Sequence, residues 1–439
     1  MSTVVDFPLS NRATRYIEQL SGYEKAIKRV NQDAFHEQIN PDGIVNIGVA
    51  ENILMCDVMT QKMKEIYDQH PIQAEDLNYT DFSGSIHFKT AVADMMGKFV
   101  FKVEEKLNPQ HFVTFNGAGT IIEQSVCMFC DPGEAVLIPA PMYLAFERDI
   151  IKRFGCVLIP VFMPYDKSSN IFVLDMDIVK ETLNKARSDG IRVKCFLLTT
   201  PSNPLGDIHT EEEIKNLIDF CAKEQLHLIS DEVYALSIFD KNQKFTSAAQ
   251  IVFKDKELNL DYKHVHIIYS LSKDFSLNGF RVGILYSRNE KLIASMRSIS
   301  PFQSVSRHTQ ALLTHLLSDH TFIEDYVSEN ERRLATAYKN VTDILNSYNI
   351  NYVNAKAGVL LWIDLSEQIK KKMKKQVITG DDEVKFFELM LNDAKVYIPC
   401  GDFFKCHHEP GWFRICFTAR KSEFMQFAFE KVFKWLSSE

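Results

Sequence analysis

The chain has 439 residues, 46% of them hydrophobic and 25% charged, with a net charge of −8. That balance is ordinary for a globular enzyme, argues against nucleic acid as the main partner, and leaves no apolar run of the ~20 residues that a membrane span requires. The opening MSTVVDFPLSNR has no charged segment leading into an apolar one, so no secretory signal is read there. A soluble, cytoplasmic protein is expected, of two or three domains or of fewer interwoven ones.

In chain order, a helical arm over Ala13–Val30 and a loop ending at Asn40–Gly43 come first. The run IVNIGVAEN is a short apolar strand that breaks at Gly48 into Ala50-Glu51-Asn52. Helices over Asp57–His70 and His87–Val100 flank the loop Leu77–Ser85. The alternation then becomes regular. Strand His111–Asn116 leads through Gly117-Ala118-Gly119-Thr120 into a helix over Ile121–Cys130, and strand AVLIP leads to Ala140-Pro141-Met142-Tyr143, which opens the next helix. Strand VLIPV, helix Asp177–Ser188, strand Lys194–Thr200, the turn PSNPLG, helix Glu211–Glu224 and strand HLIS before Asp231 continue the pattern. Two further apolar segments, Val265–Tyr269 and Val282–Tyr286, enclose a polar turn with Lys273. Strands and helices at this spacing predict an α/β fold with a mostly parallel sheet between helices. After Ser304 a helix-rich stretch (Thr309–Asn346) leads to strands in NYVNAKAGVLLWIDL, AKVYIPC and GWFRICF. These form a smaller α+β domain, expected to share its sheet with the N-terminal segment.

Nine cysteines are spread thinly, and Cys195 and Cys416 lie in apolar runs, so reduced core thiols are expected. Cys127-x-x-Cys130 and Cys406-His407-His408 invite a metal reading, but no second pair has zinc spacing and a site needs four ligands, so no metal is expected. The basic run Lys370–Lys375 reads as a solvated helix face or loop.

Ligands of open α/β sheets sit beyond the carboxyl ends of the strands, and Asn203, Asp231 and Lys273 each follow a strand. A lysine held there loses hydration and is depressed in pKa, which makes it a usable nucleophile and base. Its neighbours suit a phosphate-bearing aldehyde cofactor. Ala118, Gly119 and Thr120 stand at a strand-to-helix junction whose free N–H groups attract an anion. Ser270, Ser272 and the planar fork of Arg281 complete a phosphate shell. Asp231 can keep a pyridine nitrogen protonated and so make the ring an electron sink. Asn203 and Tyr234 can bond a phenolic oxygen, and Tyr143 can stack on the ring. Arg414, inside the apolar GWFRICF, requires an anion, for which an α-carboxylate fits.

The runs NPDGIVNIGVAEN, DPGEAVLIPAPMY, PSNPLG, HLISDEVY, YSLSKDFSLNGFRVG and EPGWFRICF resemble those of the 1-aminocyclopropane-1-carboxylate (ACC) synthases and their non-plant relatives. These are fold-type I pyridoxal phosphate (PLP) enzymes allied to the class I and II aminotransferases. The resemblance extends in order from about Asn40 to Phe417 and implies PLP, an amino acid substrate and a homodimer with shared active sites. It implies a large PLP-binding domain over 57–320, a small domain over 321–439, and an N-terminal arm over 1–56 that contributes to the small one. By it, Lys273 matches the Schiff-base lysine, Asp231 the partner of the pyridine nitrogen, Asn203 and Tyr234 the ligands of the ring oxygen, and Tyr143 the stacking aromatic. Ala118, Gly119, Ser270 and Arg281 match the phosphate site, with Gly119 where threonine is usual, and Arg414 matches the carboxylate-binding arginine. Glu51, beside Ala50, matches a glutamate linked to recognition of S-adenosylmethionine. Phe82 stands where the plant enzymes carry a tyrosine that reaches the neighbouring subunit's cofactor. The same scaffold also serves aminotransferases and carbon–sulfur lyases, because all three chemistries begin with loss of the Cα proton.

Overall fold

The computed structural model describes residues 7–18, 20–254 and 262–438. Among these, fourteen strands form four sheets. In chain order they are β1 Val45–Asn46, β2 Phe112–Phe115, β3 Ala135–Ala140, β4 Val157–Phe162, β5 Tyr165–Asp166, β6 Ile171–Phe172 and β7 Val193–Thr199. There follow β8 His227–Asp231, β9 Val265–Ser270, β10 Gly283–Ser287, β11 Asn351–Tyr352, β12 Leu360–Asp364, β13 Val396–Tyr397 and β14 Trp412–Cys416.

The main sheet has seven strands in the order β2-β10-β9-β8-β7-β3-β4. Every pair is parallel except the two made by β10, which runs antiparallel to both β2 and β9. Such strands are buried on both faces, which is why they read as nearly continuous apolar runs. Successive side chains still alternate: Val113, Val136, Leu197, Ile229, Ile268 and Leu285 pack on one face with Ile121, Ile122 and Val126 of the helix Ala118–Phe129. Phe112, Leu137, Phe196, Leu228, Ile267 and Ile284 enter the core on the other face.

A third apolar cluster joins the two ends of the chain. Ala26, Val30, Ile44, Val45 and Ile47 pack with Leu334, Val341, Leu361, Ile363, Phe386, Phe413, Ile415 and Val432. Here β1 pairs parallel with β13, β12 pairs antiparallel with β11 and β14, and the Cys416 amide donates to the Ile47 carbonyl at 2.7 Å. No helix among the described residues is long and apolar enough to cross a membrane.

Local chemistry moves several expected boundaries. The arm is two helices, Asn11–Glu18 and Gly22–Gln32, because Ser21 caps the second: Ser21 Oγ accepts from the Glu24 amide while the Glu24 carboxylate accepts from the Ser21 amide. Ala140-Pro141-Met142-Tyr143 opens no helix directly; the next begins at Phe146. The helix expected from Ile121 begins three residues earlier, at Ala118. Gly117 makes this possible with φ +118°, and a Cβ there would lie 2.3 Å from Arg281 Nη2. Gly283 on β10 serves the same junction, since its Cβ would meet the Gly117 backbone at 2.3 Å.

Candidate active site

Five strands deliver their carboxyl ends to one place. β2 ends at the Gly117 turn, β3 leads to Tyr143, β7 leads to Asn203, β8 ends on Asp231, and β9 ends on Ser270 before the four-residue helix Leu271–Asp274 that carries Lys273. Ala118, Gly119 and Thr120 occupy the first turn of the helix Ala118–Phe129, where the N–H groups of Ala118 and Gly119 lack helical partners and that of Thr120 donates to the Gly117 carbonyl at 3.1 Å. Ser270 caps the short helix: its hydroxyl accepts from the Ser272 amide at 3.1 Å and donates to the Val282 carbonyl at 2.9 Å. Ser272 lies beside it, with the two hydroxyls 2.9 Å apart. Arg281 holds a left-handed φ of +55° and donates to the Asn278 carbonyl at 2.9 Å, which sets its guanidinium against the Gly117 turn.

The N- and C-terminal segments close the other side. Lys273 Nζ donates to the Ala50 carbonyl at 2.7 Å. Glu51 is exposed, accepts from Asn278 Nδ2 at 3.1 Å, and has its carbonyl bonded by the Thr418 hydroxyl at 2.6 Å. Arg414 is buried on β14; one terminal nitrogen donates to Asn203 Oδ1 at 3.1 Å and the other to the Gly48 carbonyl at 2.5 Å. Its guanidinium lies 4.9 Å from the centre of the Phe404 ring. Both bonds go to neutral acceptors, so among the described residues no carboxylate pairs with this positive charge.

Burial sets the protonation of the group. Desolvation pushes the Lys273 amine down to about 8, with the Arg414 and Arg281 charges acting in the same direction and Glu51 opposing. Desolvation pushes Asp231 up to about 7, and Lys273 pulls it back only in part. Tyr234 is raised by burial and stays a neutral phenol. Four buried polar atoms in this region have no hydrogen-bond partner: Asp231 Oδ1, the Tyr234 hydroxyl, Arg414 Nε and Asp149 Oδ2. A folded chain rarely leaves such atoms unpaired, so each is open to a contact with a polar ligand.

Asp149 is the residue that sequence reasoning missed. Its Oδ1 accepts from Arg148 Nε at 2.9 Å, and its unpaired Oδ2 lies 3.4 Å from where a Cβ on Gly119 would be. Desolvation raises it to about 6, and its charge helps to raise Asp231. FERDII looks like an ordinary amphipathic helix, and only the tertiary placement against Gly119 reveals the carboxylate. Asp274 was also passed over. Buried next to Lys273, it accepts from the Leu236 amide at 2.9 Å, the Ser237 hydroxyl at 2.6 Å and the Tyr269 hydroxyl at 2.9 Å, and so fixes the lysine's turn.

Asp231, Glu232, Asp274 and Glu383 are all buried carboxyl groups pushed up to about 7, in each case chiefly by desolvation. Each holds its proton in the folded chain up to that pH and releases it near 4 when unfolded. In the cofactor-free protein these four groups therefore stabilise most at the acid end of this window and lose that contribution as pH rises from about 4 to about 7, while the buried histidines His227 and His266, lowered by desolvation, act in the opposite direction below about 6.5. Each group contributes up to about 1.4 kcal/mol per pH unit. Asp231→Asn should remove one such contribution and flatten the dependence in urea unfolding at pH 5, 6 and 7. An unchanged slope would show that Asp231 is ionised throughout.

Phe82 stands on a surface loop, its ring 5.6 Å from that of Tyr79. The loop is anchored where the Ser83 carbonyl accepts from the Thr114 amide at 2.9 Å and the buried Lys89 meets Asp81 at 3.3 Å. Cys130 faces Cys195, with sulfurs 3.9 Å apart, while Cys127 lies elsewhere on the helix surface. The Cys406 thiol donates to the Glu409 carbonyl, His407 meets Asp402 at 3.1 Å, and the His408 ring packs edge-on to Phe162. In the basic run, Lys370 pairs with Glu367 and Lys375 with Asp382.

Residues 44–432 match the family model described as aminotransferase class I and II, and the chain belongs to that family. The solved structures agree on the fold. A Thermus thermophilus aspartate aminotransferase mutant superposes with TM-score 0.76 over 98% of this chain and 100% of its own, at 17% identity. The aromatic aminotransferase from Pyrococcus horikoshii gives 0.72 over 94% and 98%, at 20% identity. Sequence relatives narrow the class. A 1-aminocyclopropane-1-carboxylate synthase of Nicotiana tabacum is 35% identical over 94% of this chain and 83% of its own length. One from Glycine max is 33% identical over 94% and 84%, and synthase 2 of Solanum lycopersicum 34% over 95% and 85%. The chain is thus an ACC synthase-like enzyme of the aminotransferase family.

Proposed function

We propose that this enzyme binds pyridoxal phosphate at the Lys273 cluster and converts S-adenosylmethionine into ACC and methylthioadenosine. The chain's own residues fit the cofactor. Asp231 Oδ1 and the Tyr234 hydroxyl are buried polar atoms awaiting partners, and the Gly117 turn, the helix start at Ala118 and Arg281 make an anion cradle. Asp231 would hold the ring nitrogen, Asn203 and Tyr234 the ring oxygen, and Tyr143 a ring face. Ala118, Gly119, Thr120, Ser270, Ser272 and Arg281 would hold the phosphate, and Lys273 the aldehyde carbon. When bound, the cofactor supplies an electron sink for a negative charge at the substrate's Cα.

The chain supplies the rest. Arg414 takes the substrate carboxylate on a guanidinium with which no carboxylate among the described residues pairs. Lys273, with an amine near 8, can take the proton from Cα close to neutral pH. The observation that carries the choice of substrate is Glu51. It is an exposed carboxylate next to the Ala50 carbonyl that receives Lys273. A carboxylate about 4 Å from a sulfonium gains about 4 kcal/mol at an effective dielectric near 20. Attack of Cα on Cγ then expels methylthioadenosine and closes the three-membered ring.

A homodimer with shared sites belongs to the same reading, as do action in the cytoplasm and a division into an arm (1–56), a large domain (57–320) and a small domain (321–439). Leu77, Tyr79 and Phe302 are large apolar side chains, 78%, 88% and 82% exposed. The Gln303 carbonyl beside Phe302 accepts from the Asn116 amide at 2.9 Å, so Phe302 adjoins the Gly117 turn. The cluster joining Ala26–Ile47 to Leu334–Trp435 supports the division.

Phe82 favours a second reading, transamination or carbon–sulfur elimination, because it lacks the hydroxyl of the plant enzymes' tyrosine. Incubation with S-adenosylmethionine decides between them. ACC and methylthioadenosine are expected in equal amounts; keto acid from common amino acids with no ACC would overturn the leading reading.

A further inference from the structure

A second cleft lies away from Lys273. About 1040 Å³ in volume, it lies between the turn after β8 (residues 235–245), the helical turn Met96–Phe101 with Lys102, and the long helix His320–Ser347. None of the residues named above as cofactor or substrate contacts lines it. Its size is that of a small-molecule site.

The walls are of two kinds. Phe99, Phe239 and Phe245 supply apolar surface, and five cationic side chains enter from three separate segments: Lys98, Lys102, Lys241, Lys244 and Arg332. Two of the five are neutralised, Lys98 by Glu324 at 3.7 Å and Arg332 by Glu329 at 2.7 Å. Asp240 is occupied within its own turn, accepting from the Asn242 amide at 2.9 Å. Lys102, Lys241 and Lys244 make no ion pair with any carboxylate among the described residues. Lys102 is fixed at its root: it closes the helical turn at φ +51°, and its carbonyl accepts from Gln250 Nε2 at 3.3 Å. Burial and the charge of Lys244 both push its amine down. The acid that faces this trio is Glu331, half-buried and raised by desolvation, on which the Lys102 and Lys241 charges act without touching it. Three unpaired ammonium groups face two carboxylates, Asp240 and Glu331, so the lining keeps an excess of one positive charge.

We propose that this cleft is a second ligand site, which takes a phosphate-bearing small molecule with its phosphates among Lys102, Lys241 and Lys244 and its apolar portion against the Phe99, Phe239 and Phe245 wall. Compact ammonium charges on flexible stems suit phosphate oxygens. The inference is independent of the reaction at Lys273.

Calorimetric titration of the full chain with inorganic pyrophosphate and with metal-free ATP tests it. The chain is first loaded with pyridoxal phosphate and the unbound cofactor removed, so that the anion contacts near Gly119 and Arg281 are already engaged and no free cofactor competes for the cleft. One saturable site is expected for each probe, tighter for ATP because its base and ribose reach the apolar wall. Lys102→Ala and Lys244→Ala should each weaken binding by about tenfold, as loss of a charged hydrogen bond does. Glu331→Gln should tighten it, and Lys167→Ala, on an exposed turn elsewhere, should leave it unchanged. Absence of saturable binding with both probes, or equal affinity in wild type, Lys102→Ala and Lys244→Ala, would overturn the proposal.

Discussion

Replacing Lys273 with alanine should lower turnover by at least about 10⁴-fold, the upper end of what one placed general base contributes, because on the proposed reading the same amine also anchors the cofactor. The fold should survive, since the substitution removes one hydrogen bond, to the Ala50 carbonyl at 2.7 Å, and leaves the short helix Leu271–Asp274 capped by Ser270 and braced through Asp274. Product formation and far-ultraviolet circular dichroism measured together separate the two effects. The purified wild type should also be yellow and the variant should lose its visible band. Residual turnover within tenfold of wild type would place the essential amine elsewhere.

The second large effect belongs to Arg414→Leu. Two charged hydrogen bonds to a substrate carboxylate, at about 1.5–3 kcal/mol each, imply a loss in kcat/KM on the order of 10²–10⁴-fold. Arg414→Lys should restore little, since an ammonium on a flexible stem cannot reproduce a planar fork that also serves Asn203 and the Gly48 carbonyl. Most of the loss should appear in KM if the guanidinium grips ground state and transition state alike. An amine substrate lacking the carboxylate should lose no further activity in the variant. If it does, Arg414 acts on something other than the carboxylate.

Much of this site can be seen in the sequence because it lies at strand ends. An apolar run of four to six residues followed by Asn203, Asp231 or Lys273 is a local pattern, and the carboxyl edge of a parallel sheet brings such patterns together. Glu211–Glu224 is equally local, since Thr210 and Glu213 cap it reciprocally. What depends on tertiary placement is hidden. Ala118 begins its helix because one glycine at positive φ turns the chain in a single residue, where the glycine-rich string suggested a longer turn. Asp149 becomes a site residue through Gly119, thirty positions earlier in the chain, and Asp274 gains its role through Leu236 and Ser237. The partner of Arg414 at Gly48 is 366 residues distant, a contact that no periodicity encodes.

That long-range closure bears on how the enzyme is made. The Thr418 hydroxyl reaches the Glu51 carbonyl across 367 residues, and β1 has no strand neighbour until β13 exists. A ribosome therefore releases the seven strands of the main sheet, with Lys273 among them, long before Ala50 and Glu51 can take their positions. Segments of such high sequence separation pair late. The catalytic pocket is completed only when nearly the whole message has been read, so a chain cut short before Trp412 carries the reactive lysine but lacks both Arg414 and the strand that seats Ile47. On the proposed reading, an incomplete translation product therefore lacks the arginine that would hold the substrate carboxylate.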